Sequence, residues 1–434
     1  MNEEIWDMYL SDITIQNFMA FKEAEMTFEN GINLIIGDNG VGKTSALSAV
    51  SKVIASLIEK MFHKGKSIID LTEVNTDVVL DGESVYDVKY NFPVKISCKI
   101  GVKGQKYFLG LSRDDRKVSD VYDFDIQMNK QQLQKICNER YPLFCYQKFD
   151  REWRTPDIYG KNKVTFQTGL SDRMDGYEGC LKNELDKDSM EDIIQQWCLK
   201  MSVMEYEKRG IIKEFRTFQN IIRRFMQVIE DDEKDFKISY SMKMSGLVYE
   251  YGNTSIPLYE LSTGYKALLS MIMELAYRTV ILNPDISDDL EELPGIVLID
   301  EIDAHLHPKW QWAIIDALRK IFPKVQFIIG THSPIVISSA KNARIISLDK
   351  KDGINYLESA YGYSINDVVT LRQGSTDMPE EAKRFFELME EALDEKDMNK
   401  ALQVVDRAQK AFGVQSAIYN ELKQYYDLNC LVED

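Results

Sequence analysis

The segment from Ile32 to Ala49 limits the possible folds of this chain more than any other part of the sequence. Its first residues, Ile32 to Ile36, form an apolar run that predicts a buried strand, and the apolar spacing after Lys43 predicts a helix. Between these elements stand the residues that a phosphate-binding loop requires, at Gly37, Gly40, Gly42, Lys43 and Thr44. This order of strand, loop and helix predicts an α/β fold with a nucleotide site at the end of the strand.

Phosphate groups suit such a loop because its backbone N–H groups turn inward and the positive end of the helix points at them. We expect Lys43 to reach the terminal phosphates as a catalytic residue, and Thr44 to bind Mg²⁺. A glycine-rich turn that merely precedes a helix is the alternative interpretation. The expected nucleotide contacts are Gly37, Asp38, Asn39, Gly40, Val41, Gly42, Lys43, Thr44 and Ser45.

The net charge of −17 argues against a protein that coats nucleic acid, because such proteins need cationic surfaces. A local contact with DNA remains open. The best basic cluster on a predicted helix consists of Lys208, Arg209, Lys213, Arg216, Arg223 and Arg224. A solvated helix face is the alternative explanation of this cluster.

The start of the chain, Met1 to Asp7, is acidic where a signal peptide is basic. No apolar run approaches the roughly 20 residues of a membrane span, so we expect a cytoplasmic protein without a membrane partner. The six cysteines show no metal-ligand spacing, so the sequence predicts neither a zinc site nor a disulfide framework.

A second motif, the signature segment Leu261–Lys266, directly precedes a strongly apolar predicted helix. Ser262 can cap this helix, and Gly264 lets a ligand approach the backbone, so both are candidate nucleotide contacts. An ordinary helix cap is the alternative. The acidic motif that follows this segment in the chain favours the interpretation as a nucleotide contact.

That acidic motif begins where the apolar run from Gly295 to Ile299 ends. Asp300 is expected to bind Mg²⁺ through water, and Glu301 to orient and deprotonate the attacking water. Asp303 follows as a further candidate nucleotide contact. A buried strand that ends in adjacent carboxylates is typical of nucleotide hydrolases.

Three of the four histidines, His305, His307 and His332, follow the ends of predicted buried strands. His332, after the strand Val325 to Ile329, is expected to hydrogen-bond the γ-phosphate as a catalytic residue. A metal site made of the three histidines is the rival interpretation, and His305 and His307 can equally be structural. Gln147, at the end of a short apolar strand, is a candidate sensor of Mg²⁺ and the terminal phosphate.

The pattern along the chain predicts four regions. We expect an N-terminal ATPase lobe with an antiparallel β subregion over residues 1–149, an insertion of helices and a β-ribbon over 150–259, a second ATPase lobe over 260–358, and a helical region over 359–434. Lys64 to Asp87 is expected to be a loop, and Asn129 to Cys137 a helix.

Taken together, these motifs resemble those of the ABC-class ATPases of the SMC/RecF type. The correspondence comprises a Walker A loop at Gly37–Thr44, the Leu-Ser-x-Gly signature at Leu261–Gly264, Walker B at Ile296–Glu301, and the residues Asp303 and His332. The stretch Gly295–Pro334 looks like the bacterial AAA-family ATPases that are paired with a separate nuclease in anti-phage systems, such as Septu and the retron-linked ATPases. The segment Tyr146–Arg151 departs from the Tyr-Gly-x-x-Arg-like pattern of that family. The resemblance therefore does not assign a role to Gln147.

This resemblance implies an ABC-ATPase head with a mixed sheet, flanking helices and a helical insertion. It implies that ATP and Mg²⁺ held by the Walker A loop of one subunit meet Ser262 and Gly264 of another, so that ATP joins a homodimer or a higher homo-oligomer. Because the chain has no nuclease motif of its own, the resemblance implies a separate effector chain. The alternatives are a transporter subunit, a DNA-repair ATPase that binds DNA ends directly, and an ATP sensor with little turnover.

Overall fold

The structure is a computed structural model of the chain. It describes residues 8–62, 71–81, 85–114, 123–126, 140–148, 172–181, 190–233, 235–252, 254–286, 290–350, 353–373 and 378–430. Its strands are β1 Met8–Phe18, β2 Phe21–Thr27, β3 Ile32–Ile36, β4 Thr76–Asp81, β5 Val85–Tyr90, β6 Val94–Val102, β7 Gln105–Arg113, β8 Asp123–Ile126, β9 Leu143–Lys148, β10 Phe236–Ser241, β11 Gly246–Tyr251, β12 Thr254–Pro257, β13 Gly295–Asp300, β14 Val325–Gly330, β15 Arg344–Asp349 and β16 Gly353–Leu357. Its α-helices are α1 Lys43–Phe62, α2 Met190–Lys208, α3 Lys213–Glu230, α4 Thr263–Leu282, α5 Pro308–Ile321, α6 Pro334–Ser339, α7 Ile365–Leu371, α8 Glu380–Asp394, α9 Met398–Phe412 and α10 Ala417–Cys430.

The central sheet has the strand order β16-β15-β3-β14-β13-β9. Its neighbouring strands run parallel except at one edge, where β15 and β16 are antiparallel. Every residue of β3, β13 and β14 is buried, as expected for parallel strands that are covered on both faces. The predicted α/β fold with a mixed sheet is confirmed.

A second sheet, antiparallel throughout, has the order β2-β1-β6-β7-β8. Gln326 of β14 joins it to the central sheet: its buried side-chain amide accepts from Leu10 N at 2.8 Å and donates to Leu10 O at 2.9 Å and to Glu29 O at 2.8 Å. These hydrogen bonds hold the two sheets together. Replacing Gln326 would leave the backbone groups of Leu10 and Glu29 without their hydrogen-bond partner, which is costly for buried groups. The predicted N-terminal antiparallel region is confirmed.

Between the phosphate loop and the signature segment, α2 and α3 precede the antiparallel strands β10, β11 and β12. The helices pack against α4 through an aromatic cluster. Trp197 of α2 lies edge-on to Phe218 of α3 at 5.1 Å and to Tyr277 of α4 at 5.5 Å. The predicted helices and β-ribbon are confirmed, and β12 is an additional strand that the sequence pattern did not predict.

The expected loop Lys64 to Asp87 is wrong in part, because β4 and β5 pair as an antiparallel hairpin. The β-branched residues before Asp81 and the Asp-Gly sequence that follows are hairpin signals that the polarity of the region obscured. Gln147 lies inside β9 rather than at its end, since β9 extends to Lys148. The predicted helix Asn129 to Cys137 lies outside the described residues.

The chain divides into two compact units, Met1–Val368 and Val369–Asp434. The second unit contains α8, α9 and α10, which share a small apolar core around Phe385, Met389, Val405 and Leu422. These helices lie in the C-terminal region that the sequence predicts to be helical. The finer region boundaries at 149, 259 and 358 stay predictions. Within the described part of the chain, no helix is both long and apolar enough to cross a membrane.

Candidate nucleotide site

The phosphate loop joins β3 to α1 through glycines in the left-handed region of backbone space. Gly37, Gly40 and Gly42 have φ angles of +140°, +76° and +113°, which residues with side chains rarely adopt. A Cβ atom on Gly37 would lie 2.3 Å from the carbonyl oxygen of Leu348, and one on Gly42 would lie 2.7 Å from the ring of Phe21. Both positions therefore require glycine for conformation and for space.

The other loop residues differ in exposure. Asp38, Asn39 and Gly40 are exposed, whereas Val41 is half-buried against the core and Ser45 is buried at the start of α1. The tip of the loop thus faces solvent while its ends are anchored in the protein. This is the arrangement that a loop needs in order to receive phosphates from outside.

Lys43 lies across the loop that contains it. Its ammonium donates to the carbonyl oxygens of Gly37 at 2.8 Å and Asp38 at 2.9 Å, and the residue is buried. Burial lowers the pKa of Lys43, and the nearby carboxylates, with Asp300 and Glu301 first, oppose this shift. The ammonium is therefore close both to the carbonyl groups of the loop and to the carboxylates that follow β13, which β14 separates from β3 in the sheet.

The two carboxylates after β13 differ in environment. Asp300 is 4% exposed, and its Oδ1 is a buried acceptor without a hydrogen-bond partner among the described residues. Gly330 of β14 borders it so closely that a Cβ there would lie 2.9 Å from Oδ1. Glu301 is exposed and has a left-handed φ of +54°, a conformation that is uncommon for residues other than glycine.

The set of oxygen donors fits Mg²⁺. An unpartnered buried carboxylate oxygen at Asp300 and the hydroxyl of half-buried Thr44 are the hard ligands that Mg²⁺ prefers. The described residues contain no cluster of three or more His, Cys, Asp or Glu side chains that could enclose a metal. Magnesium sites in nucleotide enzymes usually draw one or two ligands from the protein and the rest from phosphate and water.

Asp303 connects the loop after β13 to the loop after β14. Its Oδ1 accepts from the hydroxyl of Thr331 at 2.5 Å and from the backbone N–H of His332 at 3.3 Å. The hydroxyl of Thr331 accepts in turn from Ser333 N at 3.1 Å. Sequence reasoning gave Thr331 no role, because nothing in its local pattern indicates a bond to a residue so distant in the chain.

His332 lies close to the charged groups of the site. Burial and then the positive charge of Lys43 lower the pKa of His332, while Asp303, Glu301 and Asp38 act in the opposite direction. The imidazole is therefore biased towards its neutral form. The structure thus brings together the Walker A lysine, both Walker B carboxylates, Asp303 and His332 at one edge of the central sheet.

The signature segment is built differently. Ser262 caps α4 by accepting from Tyr265 N at 3.4 Å, and its side chain is exposed. Gly264 packs against the chain that follows Walker B: a Cβ there would lie 2.6 Å from the carbonyl oxygen of His305 and 3.2 Å from the ring of Trp310. Within the described residues, Ser262 forms hydrogen bonds only in its own helical turn.

Gln147 is engaged away from the phosphate loop. Its amide donates to Met271 O at 3.1 Å and to the carboxylate of Glu274 at 3.2 Å, both in α4, and the residue is buried. Its Oε1, the atom that would bind Mg²⁺, is a buried acceptor without a hydrogen-bond partner among the described residues. Its predicted role as a Mg²⁺ ligand stays a prediction.

The remaining histidines have separate positions. His307 caps α5, since its Nδ1 accepts from Lys309 N at 3.2 Å, and His305 is exposed with a left-handed φ of +63°. Capping accounts for His307 without a metal. The rival metal site of three histidines has no counterpart among the described residues, where no such cluster occurs.

Comparisons with known proteins agree with this geometry. The model of the family described as AAA ATPase domain matches residues 8–196 and 110–337, which together cover more than half of the chain. A Retron Vc95 probable ATPase from Vibrio cholerae serotype O1 biovar El Tor is 26% identical over 399 residues, covering 79% of this chain and 74% of that protein. The Septu protein PtuA of Bacillus thuringiensis is 24% identical over 363 residues, covering 79% of this chain and 76% of its own length.

Among solved structures, an SMC head bound to the C-winged helix domain of ScpA aligns with 81% of this chain and 98% of its own, at 15% identity and a TM-score of 0.45. The family match and the sequence relatives identify the family of this chain without the structural alignment. The chain belongs to the AAA ATPase domain family and is an ATPase related to probable ATPases of retrons and to the Septu protein PtuA.

Proposed function

We propose that this ATPase forms a head-to-tail dimer on ATP and that the dimer controls a separate effector chain, a nuclease, in anti-phage defence. One observation carries the proposal: Ser262 is exposed, with hydrogen bonds only in its own turn among the described residues, although it begins a helix in the manner of an anion-binding site. Such a helix start, presented to solvent, supports a role in receiving phosphate from another molecule.

The chemistry at each site then draws on both subunits. Lys43 leaves the carbonyl groups that it contacts in the free loop and binds the terminal phosphates, while Glu301 deprotonates the attacking water. His332, neutral and next to Lys43, donates a hydrogen bond to the γ-phosphate. Thr44 and, through water, Asp300 would hold Mg²⁺, with Gln147 as a further candidate ligand, and the ion would supply neutralisation of the phosphate charge.

The signature of the second subunit completes this site. Ser262 and Gly264 offer a capped helix start to the γ-phosphate, so ATP holds the two subunits together. Hydrolysis removes the shared phosphate and reopens the interface, which makes the dimer a switch whose population follows the nucleotide state. Asp303, bonded to the loop that bears His332, is a further candidate nucleotide contact.

The effector role is supported by the relatives. Two of them are named as a retron ATPase and a Septu protein, and the motifs resemble those of ATPases that work with a nuclease chain. The purified chain with ATP, Mg²⁺ and DNA is therefore expected to hydrolyse ATP and to leave the DNA intact. DNA cleavage by this chain alone would contradict the proposal of a separate effector. A nuclease encoded by the neighbouring reading frame would support it.

Sedimentation velocity of the Glu301→Gln variant tests dimer formation. Because this variant keeps the site but lacks the base, it is expected to double its mass with ATP and to stay monomeric with ADP. The Lys43→Ala variant is the control and stays monomeric with both nucleotides. A Glu301→Gln variant whose mass does not change with nucleotide, and which is not already a dimer, would refute the proposal.

A further inference from the structure

The first turn of the signature helix is held from the side by Tyr265. The hydroxyl of Tyr265 donates to Glu230 Oε1 at 2.6 Å, and Glu230 is the last residue of α3. The ring of Tyr249 in β11 packs against the ring of Tyr265 as well, with 5.9 Å between their centroids. The side chain of Tyr265 thus joins α4 to α3 and to β11, that is, to both the helices and the strands of the region that precedes the signature segment.

A third element fixes the same group. Lys309 of α5 donates to the backbone oxygen of Glu230 at 2.8 Å, and its ammonium lies 3.6 Å from the Glu230 carboxylate. The ring of Trp310 stands edge-on to that of Tyr265, with 4.6 Å between centroids. The carboxylate of Glu230 therefore lies between a phenol of α4 and a cation of α5.

This contact is adjacent to the residues expected to meet ATP. Tyr265 follows Gly264 directly, and its backbone N–H is the donor that Ser262 accepts as helix cap. Trp310, which packs on the Tyr265 ring, also limits the space at Gly264. The Tyr265 side chain is thus anchored in the same helical turn that carries Ser262 and Gly264, and Trp310 packs against both its ring and Gly264.

The proton of this hydrogen bond stays on Tyr265. Burial, and next the bond to Glu230, raise the pKa of Tyr265 above its ordinary value. The phenol is therefore a donor to a charged acceptor throughout the physiological range, and hydrogen bonds of that kind are among the stronger ones in proteins.

We propose that Tyr265, held by Glu230, is a positioning residue that sets the orientation of the signature turn and thereby lets the end of α3 control the ATP-dependent dimer. This inference rests on the proposed function, since it concerns the half-site that a partner subunit receives. Tyr265 itself does not touch the nucleotide. It acts through Ser262 and Gly264, so its loss affects the dimer and turnover while ATP binding by a single chain is unchanged.

The test compares two tyrosines whose hydroxyls each donate to a carboxylate, one from α4 and the other from β11. Tyr265→Phe removes the hydroxyl that reaches Glu230. Tyr251→Phe is the matched control, because the Tyr251 hydroxyl donates at the same 2.6 Å distance to a carboxylate, that of Asp232, in the same aromatic cluster but from β11 rather than from α4. Each variant is measured for kcat, for ATP affinity with Mg²⁺ omitted, and for ATP-dependent mass in the Glu301→Gln background.

We expect Tyr265→Phe to lower kcat and to weaken the dimer about tenfold, as the loss of a charged hydrogen bond implies, with ATP affinity unchanged. Tyr251→Phe keeps wild-type kcat. Glu230→Ala reproduces the effect of Tyr265→Phe, the double variant is no worse than either, and Glu230→Gln, which keeps an acceptor, retains most of the activity.

Equal kcat values for the two Phe variants would overturn the inference, and so would a parallel loss of ATP affinity, which would indicate general unfolding. Both results leave the proposed function intact. If the Glu301→Gln parent itself forms no ATP-dependent dimer, the proposed function fails and this inference fails with it.

Discussion

The carboxylate of Asp303 and the hydroxyl of Thr331 are 2.5 Å apart, so the segment after Walker B is bonded directly to the segment that carries His332. Hydrolysis needs both segments in fixed relative positions, because Glu301 precedes the first and His332 lies in the second. The bond therefore couples the candidate base to the candidate γ-phosphate contact.

Replacing Thr331 by Val should loosen this coupling at nearly constant volume. Thr331→Val removes the donor to half-buried Asp303 and the acceptor of the buried Ser333 N–H, so we expect a loss of about 1–3 kcal/mol in stability and a lower kcat. Urea denaturation and steady-state turnover measure the two effects. Thr331→Ser, which keeps the hydroxyl, is the control, and identical behaviour of the two variants would contradict the assignment.

Lys43→Ala should weaken ATP binding by about 100-fold, because it removes a buried ammonium that phosphate would bind with a charge-assisted hydrogen bond. Isothermal titration calorimetry measures the affinity. Lys52→Ala is a control on the same helix, since Lys52 pairs with Glu73 at 3.2 Å and lies outside the phosphate loop. A similar loss of affinity in both variants would show that the effect is not specific to the loop.

The lowered pKa of His332 predicts a pH-dependent stability. Burial and Lys43 place its folded pKa below the unfolded value, so its favourable contribution is present above about pH 6.5 and is lost as the pH falls. The melting temperature of wild type relative to His332→Gln should therefore be lower at about pH 5.5 than at about pH 7.5. Thermal unfolding without nucleotide measures this difference. A change in the opposite direction would mean that the pKa is raised.

The buried pair of Glu274 and Arg278 predicts a large stability effect. Their side chains are 2% and 1% exposed and lie 2.8 Å apart, and Gln147 donates to the same carboxylate. Glu274→Ala leaves a buried guanidinium without its counter-ion, which should cost about 3–5 kcal/mol in denaturant unfolding.

Asp316→Ala, which breaks a surface pair with Lys320 at 2.8 Å, is the control and should cost less than about 1 kcal/mol. Comparable costs for the two substitutions would refute the structural role of the buried pair. Gln147→Leu is expected to lower stability as well, because Glu274 loses a donor.

Local patterns predicted much of the fold correctly. The strand at Ile32, the phosphate loop and the helix from Lys43 to Phe62 were predictable because backbone sterics, glycine positions and apolar periodicity all act over a few residues. The hairpin of β4 and β5 was missed because polar residues masked a short β-branched run. Strand order, by contrast, depends on contacts between distant segments.

The contacts that organise the candidate site could not be predicted from the sequence, because they also join segments that are distant in the chain. Thr331 gives no local sign that it will bond to Asp303, and Gln147 gives none that α4 will hold its amide. Tyr265 stood inside a recognised motif, but its partner Glu230 lies on a helix whose packing only the tertiary structure defines. Motif spacing located the residues, and the fold determined which of them meet.

The central claim, that one ATP site is made from two chains, is tested most directly by mixing two inactive variants. Lys43→Ala lacks the Walker A half, and Ser262→Asp keeps a capping oxygen but places negative charge where the partner's γ-phosphate is expected. Ser262→Asn, a neutral cap of similar size, is the control for the substitution and should retain more activity. In an equal mixture, half of the dimers pair the two variants and contain one intact site.

We predict that each variant alone hydrolyses almost no ATP and that the mixture recovers about a quarter of wild-type turnover, as expected for random pairing in a symmetric dimer. A mixture that remains as inactive as its components, or a Ser262→Asp variant that turns over ATP like wild type, would contradict the claim that the signature of one chain completes the phosphate loop of another.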